Sequence, residues 1–85
     1  MKEKIMITPF CSLTKAEFQE LIAQHIRDLR VKSNQTQSQL AMILRISSQY
    51  YSQLERGEKT FTLDRLMDIC AIYNVPLISL LSPAK

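Results

Sequence analysis

The side chains best suited to recognition chemistry lie together in the middle of the chain. Ser47, Ser48, Gln49 and Gln53 supply hydroxyls and primary amides, with Tyr50 among them. A glutamine amide carries a donor and an acceptor side by side and can pair with both N6 and N7 of adenine, if something rigid holds it at a base edge. Serine and glutamine suit a solvated helix face equally well, so residue type alone leaves both readings open.

Catalytic and metal chemistry find no comparable cluster. The chain has one histidine, His25, which falls at or near the apolar face of a helix and reads as a boundary residue rather than a base. Its two cysteines, Cys11 and Cys70, are too far apart for a metal or redox motif. Cys70 is expected to be buried and inert, and Cys11 exposed. Carboxylates are scattered, and a chain with one glycine has no glycine-rich phosphate loop. No catalytic residue, metal or cofactor is expected.

The elements that must position the polar run follow from capping and periodicity. Thr14 with Glu17 forms a capping box, and Phe18, Leu21, Ile22, Ile26 and Leu29 then keep the helical period, predicting a helix from about Lys15 to Lys32. Ser33-Asn34-Gln35 is a polar connection. Thr36 with Gln39 is a second capping box, opening a short helix through Leu40, Ala41 and Leu44. Ser47 caps a third helix, Ser48 to about Arg56, with Tyr51 and Leu54 on one face. Gly57 ends it, being the residue that turns left-handed without a Cβ penalty. Glu58 to Phe61 reads as a polar loop. Thr62 caps a fourth helix whose Leu63, Leu66, Ile69, Cys70 and Tyr73 share a face, and Asn74 terminates it. Pro76 opens a fifth through Leu77, Leu80 and Leu81.

These five helices make an all-α domain spanning residues 14–82, preceded by an N-terminal arm of residues 1–13 in which Ile5 to Thr8 is a short strand or an arm and Pro9 breaks regularity. Eighty-five residues suffice for one domain, which should bury roughly 60–65% of its unfolded surface without staples. No apolar run approaches the ~18 residues of a membrane span, and Lys4 to Phe10 is too short and polar for an export signal. A cytoplasmic setting with no membrane partner is the expectation. The net charge is +3. That whole surplus falls between Arg27 and Arg56, where Arg27, Arg30, Lys32, Arg45 and Arg56 face Asp28 and Glu55. A basic stretch within a small domain points weakly to nucleic acid.

The stretch from Leu29 to Gly57 resembles the helix-turn-helix of the phage Cro/repressor (XRE-like) family. The matching pieces are Leu29-Arg30, Thr36-Gln37-Ser38-Gln39-Leu40-Ala41, Ser52-Gln53-Leu54-Glu55-Arg56-Gly57 and Tyr73-Asn74-Val75-Pro76-Leu77, in order and at the family's spacing. The likeness covers roughly residues 21 to 81. The sequence departs from the pattern in three places. Arg45 stands where the inter-helix turn usually has glycine, Tyr51 where the core usually has Ile or Val, and Met42 and Ile43 where charged or amide residues are usual.

The resemblance implies a five-helix, repressor-like fold and a sequence-specific DNA-binding transcriptional regulator, a homodimer on a palindromic operator. Ser47, Ser48, Gln49 and Gln53 would then lie along the base edges of double-stranded DNA. Gln37, at a helix N-terminus with free amides, would clamp a phosphate, helped by Tyr50, Ser52, Arg56, Lys59 and Thr60. Arg30 and Glu55 stand where the family has a structural ion pair. Val75, Ile78 and Leu81 exceed the apolar area that one short amphipathic turn can bury. They are the expected dimer interface, with simple core completion as the rival and the Ile5 to Phe10 arm as a second candidate. The alternative function is a protein-binding module of antitoxin type, its partner held through Met42 and Ile43, with DNA binding secondary or lost.

Overall fold

The computed structural model describes residues 14–81. The expected arm at residues 1–13, Cys11 and the domain's expected last residue, Ser82, lie outside the described residues. Five helices follow one another: α1 (Lys15–Lys32), α2 (Gln37–Leu44), α3 (Ser48–Glu55), α4 (Leu63–Tyr73) and α5 (Leu77–Leu81).

Both expected capping boxes are present. Thr14 Oγ1 accepts from the Glu17 amide at 3.1 Å while Glu17 accepts from the Thr14 amide at 2.9 Å. Thr36 and Gln39 repeat the exchange at 3.0 and 2.8 Å. Ser47 and Thr62 cap α3 and α4 by accepting from the amides of Tyr50 and Arg65. Each cap satisfies an amide that a helix start otherwise leaves without an intrahelical partner.

The exits share one device. Asn34, Arg45, Gly57 and Asn74 all take the left-handed conformation, with φ of 59°, 64°, 80° and 56°. Behind each, the next amide reaches back to a carbonyl in the last turn: Gln35 to Arg30, Ile46 to Ala41, Glu58 to Gln53 and Val75 to Cys70, at 2.9–3.1 Å. This closure turns the chain sharply and satisfies a carbonyl the helix end would leave open. It lets four helices change direction within a few residues and wrap one core.

That core is built from Ile26 of α1, Leu40, Ala41 and Leu44 of α2, Tyr51 and Leu54 of α3, Leu66 and Ile69 of α4, and Leu80 of α5, joined by Ala23 and Phe61. Two expectations are corrected here. Phe61 belongs to the core rather than to a polar loop, because the chain between α3 and α4 passes over the apolar interior. Leu63 is 60% exposed and does not share the buried face of α4. At about 100° per residue it is swung some 80° from the line through Leu66, Ile69 and Tyr73. Cys70 is half-buried, and burial pushes its thiol pKa up, away from a reactive thiolate.

Candidate nucleic-acid interface

The helices α2 and α3 pack against each other around the left-handed turn at Arg45, forming a helix-turn-helix with α1 behind it. Tyr51 and Leu54 face inward, fully buried, and so hold the opposite face of α3 outward. Ser47, Ser48 and Gln49 are exposed at its N-terminal end, and Gln53 is half-buried one turn further on. Ser48 Oγ and Ser38 Oγ share a hydrogen bond at 3.2 Å, which joins the starts of α2 and α3. Tyr50 is half-buried against the core.

Behind this face lies a polar knot. Arg30 pairs with Glu55 through Nε at 2.8 Å and Nη2 at 3.1 Å, and its Nη1 donates to the Gln35 carbonyl at 2.8 Å. The Tyr51 hydroxyl donates to the same carboxylate, as does Gln37 Nε2 at 2.7 Å. Burial alone would push the Glu55 carboxyl up, but donation by Arg30, Tyr51 and Gln37 outweighs it and holds the pKa below the ordinary value. The hydrogen bond to Glu55 outweighs the burial of Arg30 and raises its pKa above the ordinary value. The Tyr51 phenol is pushed far up, first by burial and then by its bond to Glu55, so it acts as a donor throughout. Tyr73 of α4 donates to Gln35 Oε1 and ties the α1–α2 connection to the far side of the domain.

In the loop after α3, Lys59 and Thr60 are exposed, and Thr60 Oγ1 accepts from Gln19 Nε2 of α1 at 2.9 Å. Arg56 is exposed but engaged: Nη1 donates to Ser52 Oγ at 2.6 Å, and Nε pairs with Glu58 at 2.8 Å. Sequence reasoning singled out Tyr51 as a core residue without foreseeing its bond to Glu55, and it passed over Glu58 as a partner of Arg56. Tyr51 precedes Glu55 by one helical turn, so that pair had a local signal, whereas Arg56 and Glu58, two residues apart across left-handed Gly57, had none. The Gln37–Glu55 contact, between different helices, had none.

At the other end, Val75 and Leu81 are half-buried and Ile78 is 61% exposed. Met42 and Ile43 on α2 are 76% and 49% exposed. Both therefore stand outside the buried core.

A helix-turn-helix family model, HTH_3, matches residues 26–80. The chain belongs to the HTH_3 helix-turn-helix family. That family groups DNA-binding transcriptional regulators, and the five-helix architecture is that of its DNA-binding domains. Among solved structures, the HTH_3 chain is similar to the clp gene regulator ClgR from Corynebacterium glutamicum, at 28% identity with a TM-score of 0.68 over 75% of this chain and 83% of that one. It is similar in fold to the hypothetical transcription factor NHTF from Neisseria, at 24% identity and TM-score 0.72 over 84% and 82% of the two chains. The same holds for the BldD DNA-binding domain of S. venezulae, at 22% identity and TM-score 0.67 over 78% and 99%. No curated protein matches this HTH_3 member significantly in sequence. None of its described helices is long and apolar enough to cross a membrane.

Proposed function

We propose that the protein is a sequence-specific transcriptional regulator that binds a palindromic operator as a homodimer. One observation carries this reading: Ser48 and Gln49 stand exposed at the start of a helix whose opposite face is anchored by fully buried Tyr51 and Leu54. A short, rigid helix with amides and hydroxyls at its leading end fits the major groove, and each good bidentate pair is worth roughly 1–3 kcal/mol against a wrong base. Ser47, Ser48, Gln49 and Gln53 read bases. Gln37, Tyr50, Ser52, Arg56, Lys59 and Thr60 set position on the phosphates without carrying sequence information. One short helix reads only a few base pairs, so two copies are needed, joined through Val75, Ile78 and Leu81, with half-sites roughly 34–36 Å apart. ClgR is a clp gene regulator, and gene regulation is the class carried over here. Selection of bound DNA from a random pool tests all of this together. A two-fold consensus supports the reading, and recovery of unrelated sequences sinks it.

A second reading is favoured by a different surface. Ile43 and Arg45 border an open groove of about 560 Å³ that continues along Arg65, Asp68, Ala71 and Ile72 of α4. A groove of mixed polar and apolar lining, together with the exposed Met42 and Ile43 of α2, suits a protein partner of the antitoxin type. Stoichiometric co-purification of a second chain, lost on Ile43→Asp, is the outcome that separates it from a DNA-only regulator.

A further inference from the structure

The Glu55 carboxylate is saturated with donors. Oε2 accepts from Arg30 Nε at 2.8 Å and from the Tyr51 hydroxyl, while Oε1 accepts from Arg30 Nη2 at 3.1 Å and Gln37 Nε2 at 2.7 Å. An ionised carboxylate offers about four lone-pair directions, and a side chain only 2% exposed has no water to fill them instead. Resting on the reading of Gln37 as a phosphate contact, we infer that Glu55 is a positioning residue for Gln37. It fixes which end of that amide faces inward and leaves the second N–H of Nε2 for the DNA backbone.

The reason is the asymmetry of a primary amide. On an open surface its carbonyl and amino ends exchange by rotation at little cost, so half its orientations would turn an acceptor toward an anionic phosphate. Against a carboxylate only the amino end is tolerated, because a carbonyl oxygen there repels. One N–H of Nε2 goes to Glu55 and the other stays unspent by that contact. It sits at the first residue of α2, beside the backbone amides of Gln37 and Ser38, which the Thr36 cap leaves unused by taking the Gln39 amide. Tyr51 and Arg30 hold the carboxylate from α3 and α1, so three helices set the place of one amide. Tyr51 fills the core with its ring and supports the carboxylate with its hydroxyl.

A double-mutant cycle on DNA affinity tests the inference, using the full chain, the duplex recovered by selection and an unrelated duplex. Tyr51→Phe removes one hydroxyl and keeps the ring that fills the interior; Gln37→Ala removes the amide. Tyr51→Phe is expected to weaken binding about threefold on both duplexes alike, and to have no effect once Gln37 is Ala. Glu55→Gln acts in the same way, about tenfold, and where it does not fold the Tyr51→Phe arm decides alone. Circular dichroism melts confirm that each affinity refers to folded protein. Loss from Tyr51→Phe that is equal in both backgrounds means a tilted α3 and overturns the inference. So do loss confined to the selected duplex, no loss in either background, and a Gln37→Ala chain that binds like wild type. Wild-type protein that retains neither duplex fails the DNA reading itself and takes the inference with it.

Discussion

Arg56 and Glu58 clasp each other across Gly57, the guanidinium Nε and Nη2 reaching the two carboxylate oxygens at 2.8 and 3.3 Å. The pair stands on the surface, 55% and 52% exposed, at the end of the helix proposed to read bases. Hydrogen bonding to Glu58 raises the Arg56 pKa, and the Arg56 bond lowers that of Glu58, so both groups are charged at neutral pH. A phosphate must therefore compete with Glu58 for Arg56.

Replacing Glu58 with Gln removes that competitor and a negative charge beside the DNA. Affinity should rise on every duplex, and the slope of log affinity against log salt should steepen by about 0.9, the value for one added phosphate contact. Fluorescence anisotropy titrations over a salt series read both quantities. Unchanged affinity and slope on every duplex mean that Glu58 does not compete with the backbone for Arg56.

The buried pair predicts a different pH response. The Glu55 pKa lies below its ordinary value of 4.5. Its contribution to stability is therefore full above that value and is lost as pH falls through the lower, folded-state pKa. Melting temperature should hold from neutrality down to about pH 5 and then fall. Arg30→Met should cost roughly 3–5 kcal/mol at pH 7, because it leaves a buried carboxylate unpaired, and the cost should shrink in acid. Denaturant unfolding at pH 7 and pH 4 checks the sign.

Left-handed positions give a pair of opposite outcomes. Gly57 has room for a Cβ, its nearest neighbour being Glu20 Cγ at 3.6 Å, but its φ of +80° strains any other residue. Gly57→Ala should lose about 1 kcal/mol through the backbone alone. Arg45→Gly, at φ 64°, should gain up to about 1 kcal/mol by removing the same strain. Chemical denaturation of the two variants beside wild type measures both shifts.

Assembly is read at the far end of the domain. Ile78 is 61% exposed on α5, so Ile78→Asp leaves the buried Leu80 in place and should not unfold the chain. It should shift sedimentation toward the monomer and weaken binding to a two-fold site by about 100-fold or more, while half-site binding changes little. Analytical ultracentrifugation together with titration of full and half sites separates these effects.

The helix starts and two of the four left-handed exits, Gly57 and Asn74, could be read directly, because caps and glycine or asparagine terminators act within a few residues of one another, whereas Arg45 was placed in its turn only by the family resemblance. Asn34 was passed over as part of a polar linker, although it ends α1 in the same way as Asn74 ends α4. The exposed polar face of α3 was also accessible, since periodicity turns Tyr51 and Leu54 inward and so places Ser48 and Gln49 outward. Phe61 and Leu63 were misplaced for the reason that boundaries usually fail: a residue at an element's edge is buried or exposed by what the rest of the chain lays over it.

The order of elements, their caps and the polarity of each face were set by neighbours along the chain, where torsional preference and helical period operate. The family resemblance pointed to Arg30 as a partner of Glu55, but only tertiary packing could decide that Gln37 meets the same carboxylate. Arg30 and Gln37 lie 25 and 18 positions before it, and their donors converge on one carboxylate because α1, α2 and α3 share a core. Desolvation inside that core makes an unmatched charge costly, so the fold selects an arrangement with every acceptor filled, a condition no local stretch of sequence can express.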